Sequence, residues 1–297
     1  MTARDLIFPS FFADSISLGP HWIYDAEELQ MLYPEGISEY DRPRSPYHSG
    51  KSAGDLTHYG DQALELLRSI AKNGWSIDAW RSDWKQWAET TDAYIDGASK
   101  RSLENLQAGL DQPSDSSELS GASRIAPLFA MLDHEDLIHA ARAQTAITHG
   151  DPQVIDAAEF FSRAAVGIRD GATFDQAFDQ ATSHPYDSLA AIDWLADARQ
   201  AAEGDLTENA KRIGLACNIS QALPLTLALA LTFENDPVMA LTTNALLGGD
   251  SAARGLPLGL LLGARHGLDA FPESWLRNLN AGEEIDSLLD SLGQSEA

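Results

Sequence analysis

The stretch Leu247-Gly248-Gly249-Asp250-Ser251-Ala252-Ala253-Arg254-Gly255 brings one carboxylate, on two glycines, to the start of a helix. The run that follows, Leu256-Pro257-Leu258-Gly259-Leu260-Leu261-Leu262-Gly263, is too apolar and glycine-rich for a surface helix. An acid held at the end of a buried helix is suited to activating water, managing a proton or holding a cation. Ser251 beside it is a candidate substrate contact. A second acid, Asp14, lies among apolar neighbours, and His21 follows a Gly19-Pro20 turn. Asp14 is expected to be either buried and hydrogen-bonded or part of a site. His21 suits an acid, a base or a ligand at a pocket edge. In Thr57-His58-Tyr59-Gly60-Asp61-Gln62, Asp61 is expected either to cap the helix it opens or to serve as a site carboxylate, with His58 and Tyr59 beside it. Ser120, Gly121 and Ser123 precede Arg124 at the start of a helical run. Exposed amides beside a cation would cradle an anion there. His149, in Thr148-His149-Gly150-Asp151-Pro152, is placed either to contact a ligand phosphate or ribose or to hold its own turn.

The elements that must position these residues read as helices. The 297 residues are 44% hydrophobic and contain three valines, Val154, Val166 and Val238, against abundant Ala and Leu, which disfavours β-rich folds. Residues 61–72 carry apolar side chains at helical spacing. Asp151-Pro152 and Asp236-Pro237 open helices with a capping acid and a first-turn proline, stopped by Gly171 and Gly248. Thr173 with Gln176 reads as a capping box. Residues 222–233 read as a buried helix. Residues 32–60 and 111–123 read as long loops of the kind that carry function. Gly255, Gly259, Gly263 and Gly267 recur every four residues, a smooth stripe against which another backbone can pack. The expectation is a single all-α domain over 1–297, with its chemistry on loops and helix ends.

The formal charge of −25 argues against nucleic acid as a general partner, because phosphate binding needs a basic surface. It fits either an ordinary acidic protein or one suited to high salt. No run is apolar for the roughly 20 residues a membrane span requires, so no membrane association is expected. The lone Cys217 and the polar N-terminus fit a reducing, cytoplasmic setting. Walker A, Rossmann, HExxH, CxxC and Gly-x-Ser-x-Gly signatures are all missing.

Five segments in order along the chain resemble the ADP-ribosylglycohydrolase family. Asp14 is similar to the acid of its N-terminal Gly-Asp motif, and residues 54–64 to its Thr-Asp-Asp-Thr segment. Residues 120–128 resemble its Gly-x-x-Met-Arg-x-x-Pro-Leu loop, Thr148-His149 its Thr-His segment, and Gly248-Gly249-Asp250 its Gly-Gly-Asp-Thr-Asp-Thr segment. Residues 19–24, 217–224 and 248–255 look most like the J-crystallin branch, which includes a lens protein. The resemblance implies an all-α fold with a central cleft, cleavage of the bond between ADP-ribose and an acceptor, and two magnesium or manganese ions held by carboxylates and threonines.

The chain departs from that pattern where the metals belong. His21 stands at the position of a metal-proximal Glu, Tyr59 and Gly60 stand in the Thr-Asp-Asp triplet, and Ala252 and Ala253 replace the last Asp and Thr. Asp61 and Asp250 survive. Mg²⁺ takes about six oxygen ligands, and two carboxylates do not suffice for two ions about 3.5–4 Å apart. The expectation is at most one weakly held Mg²⁺ or Mn²⁺ on Asp61 and Asp250. The function this implies is a divergent hydrolase of an ADP-ribosyl or related nucleotide-sugar glycosidic bond. Its catalytic residues would be drawn from Asp14, His21, Asp61 and Asp250, and its partner would be an ADP-ribosylated acceptor or a nucleotide-like small molecule. A non-catalytic ADP-ribose-binding protein or a crystallin-like structural protein is the alternative.

Overall fold

Capping groups written into the sequence set where most helices begin. The computed structural model describes residues 1–294, 67% of the chain being helical and no strand being formed among them. In chain order the α-helices are α1 (Ala3–Ser17), α2 (Ala26–Leu32), α3 (His58–Asn73), α4 (Ile77–Thr90), α5 (Gly97–Gln107), α6 (Ser120–Ser123), α7 (His134–Thr145), α8 (Pro152–Arg169), α9 (Phe174–Thr182), α10 (Ala191–Ala202), α11 (Leu206–Ile213), α12 (Ile219–Thr232), α13 (Pro237–Leu247), α14 (Ser251–His266), α15 (Glu273–Asn278) and α16 (Gly282–Gln294). Asp151 accepts from the Gln153 amide (2.8 Å) and Asp236 from the Met239 amide (3.0 Å), so both Asp-Pro signals start helices as expected. Thr173 and Gln176 form the capping box of α9. The expected loops hold in part. Residues 33–57 contain only a 3₁₀ turn, Pro46–His48, and residues 111–119 carry no helix, but Leu32, residues 58–60 and residues 120–123, expected as loop, are helical.

One expected start is corrected. Asp61 does not cap α3; the helix begins a turn earlier, at His58. Thr57 is its cap, its hydroxyl oxygen accepting from the Tyr59 amide (3.1 Å). Asp14 makes the difference. Its two carboxylate oxygens accept from the Thr57 amide and the Thr57 hydroxyl, both at 2.6 Å, and fix the capping residue from across the fold.

At the centre α1 and α14 run antiparallel in close contact. A Cβ on Gly255 would lie 2.9 Å from the Ala13 carbonyl oxygen. On Gly259 it would strike the Pro9 carbonyl, and on Gly263 the Asp5 carbonyl. The four-residue glycine stripe of one helix thus meets a four-residue series of carbonyls on the other. Pro257 within α14 cannot donate to Ala253, and that freed carbonyl accepts from the Ser123 hydroxyl at 2.6 Å. Ser10 of α1 donates to the Leu256 carbonyl (2.8 Å). Around this pair one buried apolar cluster extends from Leu6 to Leu289 and includes the whole apolar length of α12. No helix among the described residues is long and apolar enough to cross a membrane.

Because the Pro9 carbonyl leaves no room for a methyl group, Gly259→Ala must push α1 and α14 apart. Equilibrium chemical denaturation should show a loss of about 1–3 kcal/mol, the scale of core overpacking. An unchanged unfolding midpoint would mean that the two backbones are not in fixed contact.

Candidate functional site

The Gly-Gly-Asp segment is held by backbone bonds on every side. Gly248 and Gly249 both have positive φ (+69° and +58°). A Cβ on the first would strike the Ile23 carbonyl and on the second the Leu215 carbonyl, so only glycine fits either position. The Trp22 amide donates to the Gly249 carbonyl and the Gly249 amide to the Ile23 carbonyl, both at 2.8 Å, while the Asp250 amide donates to Leu215 (2.9 Å). Arg254, one turn into α14, is buried and donates from Nη2 to the Gly248 carbonyl (2.6 Å) and from Nε to Asn244 Oδ1 (3.1 Å).

Asp250 therefore sits at the mouth of α14 with a wholly buried carboxyl group. The Tyr59 hydroxyl approaches Oδ2 at 3.4 Å. Oδ1 has no hydrogen-bond partner and faces His21 Nε2, also unpartnered, at 3.7 Å. Burial pushes the Asp250 carboxyl up to about 7; Arg254 draws it down and Glu118 raises it. His21 Nδ1 accepts a long bond from the Ala252 amide (3.4 Å), which leaves the proton of the neutral ring on Nε2, toward Asp250. Burial holds His21 well below the ordinary imidazole range.

Two further histidines join it from separate elements. His48 ends the 3₁₀ turn of the first long loop, and His58 is the first residue of α3. His48 Nε2 and His58 Nδ1 are 3.0 Å apart, one donating to the other. The three ring centres form a near-regular triangle with sides of 5.4, 6.0 and 5.2 Å. Burial lowers His48 to about 4 and holds His58, like His21, well below the ordinary imidazole range, so all three rings are neutral at neutral pH. Trp22 roofs the triangle, stacked on His21 at 4.5 Å and lying 5.1 Å from His58 and 5.5 Å from His48. Its φ of +63° is a strained value for a bulky residue. Outside the roof lies a hollow of about 420 Å³ lined by Trp22, Tyr24, Tyr47, Tyr94 and Cys217.

The other expected site residues are differently placed. Asp14 is spent on Thr57, and a Cβ on Gly60 would strike its carboxylate, so it positions α3. Asp61 forms an ion pair with Lys51 (2.7 Å). The expected cradle of exposed amides at 120–123 is corrected: these residues are buried, the Ala122 and Ser123 amides donate to the Leu119 carbonyl, and the Ser123 hydroxyl bonds to Ala253. Gly121 is there because a Cβ would strike the His149 ring. His149 bonds Thr148 through Nδ1 (2.9 Å) and Ser120 through Nε2 (3.3 Å), and burial lowers it to about 3. Arg124 donates to Gln62 Oε1 and Thr148 Oγ1, and its Nε is unpartnered. Ser251 is buried with a free hydroxyl, its carbonyl accepting from Asn244 (2.8 Å).

A two-magnesium centre does not fit this donor set. Asp61 already carries the Lys51 ammonium where a cation would have to go, and Ala252 and Ala253 offer no oxygen ligand. The single weak ion expected on Asp61 and Asp250 meets the same obstacle at Asp61. Residues the sequence did not single out complete the site: Glu118, whose Oε2 is buried and unpartnered, and Trp22, His48, Tyr94, Gln62 and Arg254. The clustering of Tyr, His and Trp in the first long loop and its flanks was the available signal.

The raised carboxyl has a thermodynamic signature. An unfolded Asp250 titrates near the ordinary aspartate value of 3.8 and the folded one at about 7. Between these values the native state binds the extra proton, so the Asp250 contribution is fully present below the lower value and is lost as pH rises through the upper one. Wild type should gain stability over Asp250→Asn as pH falls from about 7 to about 4, at up to about 1.4 kcal/mol per pH unit. Asp14 and the histidines are common to both proteins and cancel. Parallel denaturation curves across that range would contradict the raised value.

A solved structure described as an ADP-ribosylglycohydrolase-related protein complex superimposes with a TM-score of 0.70 at 22% identity, covering 98% of this chain and 97% of that one. Crystallin J1B of Tripedalia cystophora is 23% identical over 311 residues, 95% of this chain and 93% of the relative. The family model for ADP-ribosylglycohydrolase matches residues 3–297, and the chain belongs to that family.

Proposed function

We propose that the chain binds an ADP-ribosyl or related nucleotide-sugar ligand at the aromatic hollow and cleaves its glycosidic bond without the two-magnesium centre. The observation that carries this reading is Asp250. Its carboxyl is buried, its Oδ1 is free, and its proton is retained up to about neutral pH. A carboxylic acid that keeps its proton near pH 7 can give it to a leaving group. Glu118, close enough to raise Asp250 electrostatically, is the second carboxyl that glycoside cleavage calls for, stabilising an oxocarbenium-like transition state or activating water. The neutral His21 ring orients the Asp250 carboxyl. Trp22 and the tyrosines offer faces for a purine ring, and Arg124, with its free Nε, is the cation for a diphosphate. Trp22 must swing aside for substrate to reach Asp250, since both His21 and Asp250 are wholly buried beneath it.

That same closure supports a second reading, a non-catalytic binding or crystallin-like structural protein, in keeping with the Crystallin J1B relative. Titration calorimetry with ADP-ribose and turnover of ADP-ribosylated arginine and serine peptides separate the two. Binding and turnover are expected with and without added Mg²⁺. Asp250→Asn should lower turnover by roughly 10²–10⁴-fold, the scale of general acid–base catalysis, while leaving ADP-ribose bound. Trp22→Ala should weaken binding by about 1–3 kcal/mol, the worth of a base stacked on an aromatic ring. Binding without turnover would leave the binding protein, and no binding at all would leave the structural one.

A further inference from the structure

We propose that His21, His48 and His58 form a site for one divalent transition-metal ion of the zinc and cobalt class, built from imidazole donors rather than oxygens. Three elements far apart in sequence converge on it: the turn after α1, the 3₁₀ turn of the first long loop, and the first residue of α3. One donor nitrogen from each ring lies within 4.8 Å of the others, and all three side chains are buried. This is the group of three or more histidine, cysteine or carboxylate side chains that converges so closely among the described residues. Tetrahedral zinc with Zn–N bonds of about 2.0–2.1 Å separates its ligand nitrogens by about 3.4 Å. The His48–His58 pair, at 3.0 Å, is already near that spacing, and a modest swing of His21 closes the rest.

An unpaired polar atom points the same way. His21 Nε2, His48 Nδ1, His58 Nε2 and Asp250 Oδ1 are all buried with no hydrogen-bond partner. Of these, His21 Nε2 is the atom that an ion would give a partner, while His48 Nδ1 and His58 Nε2 are the far ring nitrogens and stay outside the coordination. Coordination through His48 Nε2 and His58 Nδ1 replaces their mutual hydrogen bond. Coordination through His21 Nε2 moves that ring's proton to Nδ1 and gives up only the long 3.4 Å bond from Ala252. The Asp250 carboxyl, its unpartnered Oδ1 3.7 Å from His21 Nε2, lies beside the site. Lys51, Arg124 and Arg254 all oppose a cation here, Lys51 being paired with Asp61. Neutral imidazoles without thiolates suit Zn²⁺, Co²⁺, Ni²⁺ or Cu²⁺, and Mg²⁺ poorly. The proposal does not rest on glycosidase activity, since an inactive chain can hold the ion equally well.

The test uses the full chain stripped with a chelator and titrated with Co²⁺ at neutral pH, with excess Mg²⁺ present to occupy surface carboxylates. One cobalt per chain should bind and give visible d–d absorption. Exchangeable imidazole N–H resonances from three rings should move far outside the diamagnetic range. Zn²⁺ should displace the cobalt. His48→Gln, checked for folding by circular dichroism, should weaken binding by more than the roughly 100-fold that outer partners of a zinc site command. Cobalt held without shifted imidazole resonances, or held equally well by folded His48→Gln, would overturn the proposal. Should that variant fail to fold, the resonances of the unsubstituted chain decide the matter alone.

Discussion

The rest of the molecule depends on how closely α1 approaches α14. Helices whose facing residues carry side chains keep axes about 8–10 Å apart. Glycine at 255, 259 and 263 removes that spacer, and the carbonyls of Ala13, Pro9 and Asp5 come down onto the bare α-carbons. Both helices carry a proline at this contact, and the carbonyl freed by Pro257 is taken by Ser123 of α6. The pair therefore fixes three parts of the site together. Asp14, on α1, sets the cap of α3. Asp250 lies at the start of α14, and His21 and Trp22 lie just beyond the end of α1.

The site built on this frame is buried and carries the guanidiniums of Arg124 and Arg254, inside a chain of −25 formal charge. Surface carboxylates keep their charge in water, whereas buried ones must be paired, hydrogen-bonded or protonated. The interior uses all three solutions. Asp61 takes a lysine, and Asp14 and Asp250 are both pushed up to about 7 by burial, Asp14 in spite of its two hydrogen bonds from Thr57. The histidines respond in the opposite sense and shed their protons. The net effect is a buried site whose carboxyls exchange protons near neutral pH beside two fixed guanidiniums, a property its acidic exterior does not share.

Much of this was legible in the sequence because it was local. Gly248 announces the end of a helix, Asp-Pro announces a helix start, and glycine every fourth residue announces close packing. The structure bears each of these out. The errors came where a distant residue decided the local outcome. Asp61 lost the cap of α3 to Thr57 because Asp14, 43 residues away, holds Thr57 in place. The 120–123 segment is a different case: the Leu119 carbonyl just before it takes two of its amides, and only the bond from the Ser123 hydroxyl to α14 is distant. His48 was missed because a histidine in an irregular loop carries no periodic signal, and its partners come from residues on either side of that loop.

The two alanines after Asp250 look at first like a simple loss of ligands. Their neighbour Arg254 gives them another meaning. A loop of two positive-φ glycines ending in a buried carboxylate needs something to satisfy its carbonyls and offset its charge. An ion can do both, and here Arg254 does both: its guanidinium bonds the Gly248 carbonyl and Asn244, and its positive charge draws Asp250 back toward ionisation. A buried guanidinium at that point also repels any divalent ion placed against the same carboxylate. The segment is held by protein on all sides and is self-sufficient without a metal at the start of α14. Should the three imidazoles hold an ion, its place is the side of Asp250 that faces His21, where the Arg254 charge still reaches it.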